Sequence, residues 1–336
     1  MLLVLSMFCW GSWANTLKMA PKWRFELYYF DFAFGVMLAA TVGVFTFGSL
    51  GFDGFLFVDD MMQTGKRNIG FAGLSGIVFN LANMLLVSAV SVAGLAVAFP
   101  VGLGLALVIG VIWTYALTPA GNPVLLFGGA ALVLAAIVFN ALAFRIHQRQ
   151  LLEERAKAGL LKTSAPRVPW KGIVLCLASG VLMGSFYPMF QHARTLGEGI
   201  GPYAAGFCFA LGIFGSTFVF NLFFMNLPVQ GAPVEIRDYF LKGSLKTHAL
   251  GWLGGIVWLT GSFANFVAAA AEDEARVGPA VSYAFGQGAT MIAAFWGLLV
   301  WKEFDGANFR VKYALTLMFI LFVAGLAAVA VAPLYG

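Results

Sequence analysis

The sequence predicts an all-α integral membrane protein with ten transmembrane helices arranged as a 5+5 inverted repeat. Two observations predict the membrane class: 61% of the 336 residues are hydrophobic and only 10% are charged, and the mean hydropathy is +0.88. Soluble domains carry about 25% charged residues, and a water-soluble fold this apolar has too little polar surface to cover itself. The repeat is predicted by a polar segment that separates five apolar segments from five others.

Uncharged runs of roughly 20 residues, the length that crosses a bilayer, define the individual helices. The first segment lacks a basic leader and a small-residue cleavage site at Trp10-Gly11-Ser12-Trp13, so we expect a short helix that is retained rather than a signal peptide. Turn-forming residues divide the longest run, between 68 and 144, into three helices. The expected helices lie near 1–17, 29–47, 68–90, 95–115, 124–145, 172–192, 202–225, 248–270, 279–300 and 312–333.

Lysine and arginine are distributed unevenly between the two faces that these helices define. Sixteen fall on one side, and only Lys66, Arg67, Arg194 and Arg276 fall on the other. Because cytoplasmic loops retain basic residues, the richer side is expected in the cytoplasm of a cell that carries the protein in its inner or plasma membrane. Both termini are then non-cytoplasmic. The net charge of +5 reflects this orientation and contact with the lipid bilayer, and it requires no nucleic-acid partner.

Short motifs recur between the two halves. The expected division is a first five-helix repeat at 1–146, a cytoplasmic linker at 147–170 and a second five-helix repeat at 171–336. Gly76-Ile77-Val78-Phe79 in the first half matches Gly255-Ile256-Val257-Trp258 in the second. An odd number of helices per repeat inverts the second half in the membrane, which is a construction typical of secondary transporters with a solute site near the midplane.

Polar and aromatic side chains form stripes on the predicted helices. Such residues usually face the bundle interior or a water-filled cavity, and amides with aromatic faces suit a neutral polar solute. Interhelical hydrogen bonding is the alternative role for each of them. The candidate solute-binding residues are Trp10, Trp13, Asn15, Asn80, Asn83, Tyr187, Gln191, Trp258, Asn265, Tyr283 and Gln287.

Asp31 is the carboxylate that falls within a predicted helix, which makes it the candidate for ion coupling because acidic residues in transporter helices serve as proton relays. The alternative is a structural ion pair between Asp31 and Lys22 or Arg24. Enzyme signatures are absent from the sequence: it has no GxxxxGK[ST], no GxGxxG after a strand and no HExxH. The three cysteines lack metal-ligand spacing. We therefore expect no enzyme, no metal and no cofactor, and a monomer or homodimer.

These residues resemble the drug/metabolite transporter superfamily, in the branch of the glucose/ribose porters, the L-rhamnose–proton symporter and the ureide permeases. The segments that carry the resemblance are Trp10–Trp13, Phe25–Phe32, Gly76–Asn83, Val92–Leu95, Lys171–Leu175, Gly254–Trp258 and Trp301–Phe304. The resemblance implies ten helices, alternating access and proton-coupled uptake, and it places Asp31 on an aspartate of the ureide permeases. The chain departs from that pattern in lacking their nucleotide-binding-like signature at 147–170 and any acidic residue at 98–100.

The expected function is proton-coupled uptake of a small neutral polar solute by alternating access, with a monosaccharide as the first choice. A ureide, purine or pyrimidine permease is the close alternative, and an exporter of amphipathic metabolites or drugs is the second. A cavity lined by Asn, Gln and Trp favours a sugar or a base, whereas a mainly apolar cavity favours export.

Overall fold

The computed structural model describes residues 1–21, 23–50, 56–157, 170–197, 199–226, 232–271 and 277–335. All regular secondary structure in these ranges is helical. Within them, nine helices are long and apolar enough to cross a membrane. The predicted all-α, multi-pass membrane class is therefore confirmed.

The helices follow the predicted segments closely. In chain order they are α1 (Leu2–Ser12), α2 (Asn15–Lys18), α3 (Phe25–Phe45), α4 (Phe57–Gln63), α5 (Lys66–Ala93), α6 (Leu95–Ala98), α7 (Gly104–Leu117), α8 (Pro123–Lys157), α9 (Trp170–Thr195), α10 (Pro202–Asn226), α11 (Ile236–Lys242), α12 (Leu245–Ala270), α13 (Pro279–Gly286), α14 (Ala289–Phe295) and α15 (Phe309–Val331). Five-residue π turns at Phe99–Leu103 and Trp296–Val300 join α6 to α7 and extend α14.

The first predicted span is shorter than expected. It forms the 11-residue α1 and the four-residue α2, and α1 rises only about 16 Å against a hydrocarbon core of about 30 Å. The break has a local cause: Asn15 Nδ2 donates to the Ser12 carbonyl and Thr16 Oγ1 to the Trp13 carbonyl, both at 2.8 Å. Such side-chain bonds compete with regular helix bonding. Ten membrane-crossing helices are thus not found among the described residues.

Two predicted spans lie where they were expected, but the backbone of each departs from regular α-helix. The span at 95–115 contains the π turn at Phe99–Leu103, where Pro100 has no N–H to donate to the preceding turn. The span at 279–300 is interrupted at Gln287 and Gly288, whose amides bond three residues back rather than four. Glycine on both sides of Gln287 makes this turn accessible. Irregular backbone at membrane depth is tolerated only where protein or a cavity surrounds it.

The fifth predicted span forms α8, which extends beyond its predicted end at residue 145. Its 35 residues rise about 52 Å, well beyond the hydrocarbon core. The first part of the predicted linker, residues 147–157, is therefore helical, and residues 158–169 lie outside the described ranges. The division of the chain at 147–170 stays a prediction.

Helices from the two halves of the chain pack against each other. α5 packs on α9 and α10, α12 on α1 and α3, α7 on α9, α1 on α14, α3 on α10, and α8 on α15. Glycines allow the closest of these crossings: a Cβ on Gly76 or Gly212 would overlap the backbone of the opposite helix in the α5–α10 pair. Gly35 and Gly255 do the same in the α3–α12 pair. Small residues at such crossings are the usual basis of tight packing in membranes.

Two glycines one turn apart on α10 test this packing. A Cβ on Gly212 would overlap the Gly73 carbonyl oxygen, whereas a Cβ on Gly215 meets nothing within 4 Å. We expect Gly212→Ala to destabilise the fold by about 1–3 kcal/mol through overpacking. Gly215→Ala should leave stability equal or higher, because alanine is the better helix former. Thermal melting of the purified protein in detergent measures both. Equal melting temperatures for the two variants would contradict the close crossing.

Candidate functional site

Trp258 is the centre of an aromatic cluster between the two halves. Its ring stacks on Phe79 of α5 with centroids 4.5 Å apart and planes 26° apart. Phe209 of α10, Phe32 of α3 and Trp10 of α1 surround it at 6.1 to 6.4 Å. Trp258 is 5% exposed. Aromatic side chains from five helices thus converge on one point in the interior.

Tyr187 and Asn265 lie next to this cluster and join α9 to α12. The Tyr187 hydroxyl donates to Asn265 Oδ1 at 2.8 Å. Asn265 Nδ2 donates to the Ser282 carbonyl at 3.0 Å, and Ser282 Oγ donates back to the Asn265 carbonyl at 3.1 Å. The Tyr283 ring packs 4.8 Å from Tyr187. Asn265 therefore fixes α13 to α12 with both ends of its amide engaged.

Gln191 differs from Asn265 because half of its amide is unused. It is 1% exposed, and its Oε1 accepts a hydrogen bond from Arg194 Nη1 at 3.3 Å. The amide lies beside the Tyr187 hydroxyl, yet within the described ranges Nε2 has no acceptor in hydrogen-bond geometry. Leaving a buried donor unsatisfied costs about 1–3 kcal/mol. Gln191 is thus a buried donor with the capacity to bind a carbonyl oxygen.

The remaining tryptophan and asparagine candidates divide into near and distant groups. Trp10 Nε1 donates to Ser262 Oγ at 3.0 Å, and the Trp13 ring lies 4.9 Å from Phe32, so both border the cluster. Asn83 Nδ2 donates to the Tyr29 hydroxyl at 3.1 Å, on the α3 side. Asn80 Nδ2 bonds to α10 at the Ile213 carbonyl, Ser216 and Thr217, which is a helix-packing contact.

Asn15 lies away from the aromatic cluster, whereas Gln287 follows Gly286, which lies against Trp10. Asn15 Oδ1 accepts from Trp301 Nε1 at 2.6 Å, close to the ion pair of Lys18 with Glu303 at the end of α2. Gln287 lies in the turn between α13 and α14 and is half-buried. The polar stripes therefore predict which face of a helix is interior. Whether a residue on that face reaches the aromatic cluster depends on its position along the helix.

Asp31 is fully buried and bonded, with different partners from those predicted. The Tyr239 hydroxyl of α11 donates to Oδ1 at 2.5 Å. His248 Nδ1 of α12 lies 2.9 Å from Oδ1 and 3.0 Å from Oδ2. Arg24 pairs instead with Glu26, at 2.7 Å, and Lys22 lies outside the described ranges. The alternative in which Asp31 pairs with Arg24 is therefore wrong, and His248 lies against Asp31 instead.

Neither Tyr239 nor His248 was predicted to lie at this site. They are 208 and 217 positions from Asp31 in the chain, and no periodic pattern links them to it. Burial, the hydrogen bond to Asp31 and its charge all raise the pKa of Tyr239, so the phenol stays a neutral donor at physiological pH. In the described part of the chain, no three His, Cys, Asp or Glu side chains come together as a metal site would require.

The known proteins that this chain resembles in sequence are ureide permeases, at 22–24% identity. No family model matches the chain. Ureide permease 4 of Arabidopsis thaliana is 24% identical, with 97% of this chain and 94% of the relative covered. The chain is similar to ureide permeases. Ureide permeases 1 and 2 of the same plant are each 23% identical over the same shares.

A solved structure shares the fold. It matches with a TM-score of 0.56 at 18% identity and covers 97% of this chain and 94% of the other. The relatives support a permease in a multi-pass membrane setting. A fourth relative, ureide permease 3 of the same plant, is 22% identical, with 80% of this chain and 86% of the relative covered.

Proposed function

We propose that this protein is a secondary active transporter that carries a ureide or nucleobase by alternating access, driven by a proton gradient. The observation that carries the proposal is the stacked pair of Phe79 and Trp258 in the interior. The two flat rings lie face to face in the interior. Further along α9 lie Tyr187, bonded to Asn265, and Gln191, whose Nε2 has no acceptor in hydrogen-bond geometry among the described residues. The names of the relatives support the same solute class.

The chemistry of the cluster matches that of the solute class. Ureides and nucleobases are planar and present carbonyl acceptors next to N–H donors. Stacking on an aromatic side chain contributes about 1–3 kcal/mol per base, and the Gln191 amide can donate to a solute carbonyl. The rings of Phe79 and Trp258 now touch each other, with centroids 4.5 Å apart. A planar solute enters when the pair separates, so we assign this conformation to a closed site.

The packing supports a 5+5 inverted repeat for the scaffold. Exchanging α1, α3, α5, α7 and α8 with α9, α10, α12, α13–α14 and α15 turns the observed pairs into one another. The α1–α12 contact becomes α9–α5, α3–α12 becomes α10–α5, and α1–α14 becomes α9–α7, all of which occur. Phe79 and Trp258, matched by the sequence repeat, then lie against each other at its axis. A midplane site between repeats is the arrangement expected of secondary transporters.

Coupling and orientation complete the proposal. We place proton binding at Asp31 because this carboxylate is fully buried. It is bonded to the Tyr239 hydroxyl and to the His248 imidazole, and its hydrogen bonds with these two groups can rearrange when it takes up a proton. The sixteen-to-four distribution of basic residues supports both termini on the non-cytoplasmic side of a cell membrane. No cofactor is part of this mechanism.

Ligand-dependent thermal stability tests the solute class. A bound solute stabilises the folded state by about 2.7 kcal/mol at a hundred times its Kd. We expect the melting temperature of the purified protein to rise with millimolar allantoin, as a ureide, or uracil, as a nucleobase. Glucose and L-rhamnose at the same concentration should leave it unchanged. A rise with a sugar and none with allantoin or uracil would return the assignment to a monosaccharide.

A further inference from the structure

Two short helices, α4 and α11, lie outside the long spans and at opposite ends of the bundle. α11 contacts the beginning of α3 through Tyr239 and Asp31, whereas α4 follows the end of α3. The 21 residues of α3 rise about 31 Å, close to the thickness of the hydrocarbon core. One short helix therefore lies at each end of the bundle.

The two short helices occupy equivalent places in the chain. α4 precedes α5 and α11 precedes α12, and the sequence repeat matches Gly76 of α5 with Gly255 of α12. α4 packs on α10 and α11 packs on α3, which are exchanged by the same operation that relates the other helix pairs. Each short helix thus rests on the opposite half of the protein.

Tyr239 attaches α11 to the bundle. Its hydroxyl bonds to Asp31 at 2.5 Å, and its ring lies 4.5 Å from His248. The other charged side chains of α11 form exposed pairs, Lys242 with Asp238 and Arg237 with the preceding Glu235. The attachment therefore depends on a buried contact with α3 and α12 rather than on the surface charges.

A cavity of about 410 Å³ lies beside α11. Its lining includes Asp238 and Lys242 of α11, Leu27 of α3 and Trp23. Trp23 also contacts His248 edge to face at 5.4 Å. The space is large enough for a small solute, and Trp23 in its wall connects it to the Asp31–Tyr239–His248 group. The cavity therefore lies beside α11 and next to the buried contact that holds this helix to the bundle.

Asp60 attaches α4 at the other end. Its Oδ2 accepts the Gly201 amide at 3.0 Å, at the start of α10, and its Oδ1 accepts the Thr64 hydroxyl at 3.3 Å. Burial raises the pKa of Asp60, while these two hydrogen bonds and the charge of Arg194 lower it. Next to Asp60, Met61 Sδ covers the Cys208 thiol of α10 at 3.9 Å.

We propose that α4 and α11 are the two gates of the transport pathway, held shut by Asp60 on α10 and by Tyr239 and His248 on Asp31. Both are docked here, so the structure corresponds to an occluded state. Alternating access then consists of releasing one gate while the other stays docked. This inference rests on the proposed transport function for its purpose, but its test needs no solute.

Two thiol reporters measure the gates separately. Cys208 lies under α4 and is 2% exposed, so it reports that gate in a Cys9→Ala, Cys176→Ala background. A Leu27→Cys substitution with all three native cysteines changed to alanine reports the α11 gate, because Leu27 is buried and lines the cavity there. The labelling rate of each reporter by a fluorescent maleimide is measured on purified protein in detergent.

Each gate is weakened by removing the buried hydrogen bond that holds it: Tyr239 to Asp31 for α11, and Asp60 to Gly201 for α4. Tyr239→Phe should raise labelling of the Leu27→Cys reporter about two- to tenfold, the range for one lost hydrogen bond, and lower that of Cys208. Asp60→Ala should do the reverse. If either first variant fails to elute as a monodisperse peak, a second variant replaces it: His248→Gln at the α11 gate, or Thr64→Val at the α4 gate. Asp59→Ala, an exposed neighbour of Asp60, and Arg237→Gln on α11 are matched controls that should change neither rate.

The outcomes decide between this inference and its alternatives. Rates in Tyr239→Phe and Asp60→Ala equal to those of the controls would overturn it, and so would a rise of both reporters together, which would indicate general loosening. If the two labelling rates shift in opposite directions but no ureide or nucleobase stabilises the protein, the gates are supported and the proposed solute class is wrong. Stabilisation by such a solute with no labelling shift would remove the gates and leave the proposed function.

Discussion

The Gln191→Met substitution is expected to raise the thermal stability of the empty protein while abolishing solute binding. The Gln191 Nε2 donor is buried and has no acceptor in hydrogen-bond geometry within the described residues. Replacing such a group by an apolar one of similar shape removes its desolvation cost of about 1–3 kcal/mol. The same change removes the donor that we assign to a solute carbonyl, so uptake and ligand-induced stabilisation should fall at least tenfold.

Opposite signs of the two effects make the Gln191 test specific. A purely structural glutamine would lose stability and binding together, and that result would contradict its role as a solute donor. The measurements are the melting temperature without solute, its rise with solute, and uptake into proteoliposomes. Gln148→Met is the matched control, because Gln148 is exposed on α8 and the substitution there should change none of the three.

The second large effect is expected from Asp31→Asn. Asparagine keeps an oxygen to accept the Tyr239 hydroxyl, so α11 stays docked, but the side chain can no longer take up a proton. We expect accumulation driven by a pH gradient to fall to background. Exchange of labelled for unlabelled solute, which needs no net proton movement, should continue.

Proteoliposomes with an imposed pH gradient separate these two activities. Asp59→Asn on α4 is the control, since Asp59 is exposed and its loss should leave both accumulation and exchange at the parent level. Full accumulation by Asp31→Asn would exclude Asp31 from coupling and leave it a packing residue held by His248.

The positions of the long helices could be predicted from sequence because charge-free runs report directly on the solvent around each segment. The interruptions within them could not. Pro100 and Gly288 signal possible breaks, but a proline such as Pro188 lies inside the continuous α9, so the outcome depends on neighbouring helices. The short α4 and α11 contain charged residues and fall between the runs, which is why the apolar pattern does not predict them.

The candidate site could be predicted only in part, for a related reason. Helical spacing identifies the face on which Trp258 and Asn265 lie, and the structure brings both to the interior with Tyr187. Spacing contains no information on which distant residue will be the partner. Asn15 and Asn80 lie on equally polar stripes, yet they meet Trp301 and α10 rather than the cluster. The partnership of Asp31 with Tyr239 and His248 required the tertiary structure.

The unequal rings of Phe79 and Trp258 have a consequence for stereochemistry. The scaffold halves are related by near-symmetry, but a flat solute held between these two side chains has an indole on one face and a phenyl on the other. The faces of the solute are therefore distinguishable to the protein. For a heterocycle with a stereocentre in its ring, the carrier is expected to be enantioselective, and the mirror-image molecule would present its substituent to the wrong ring.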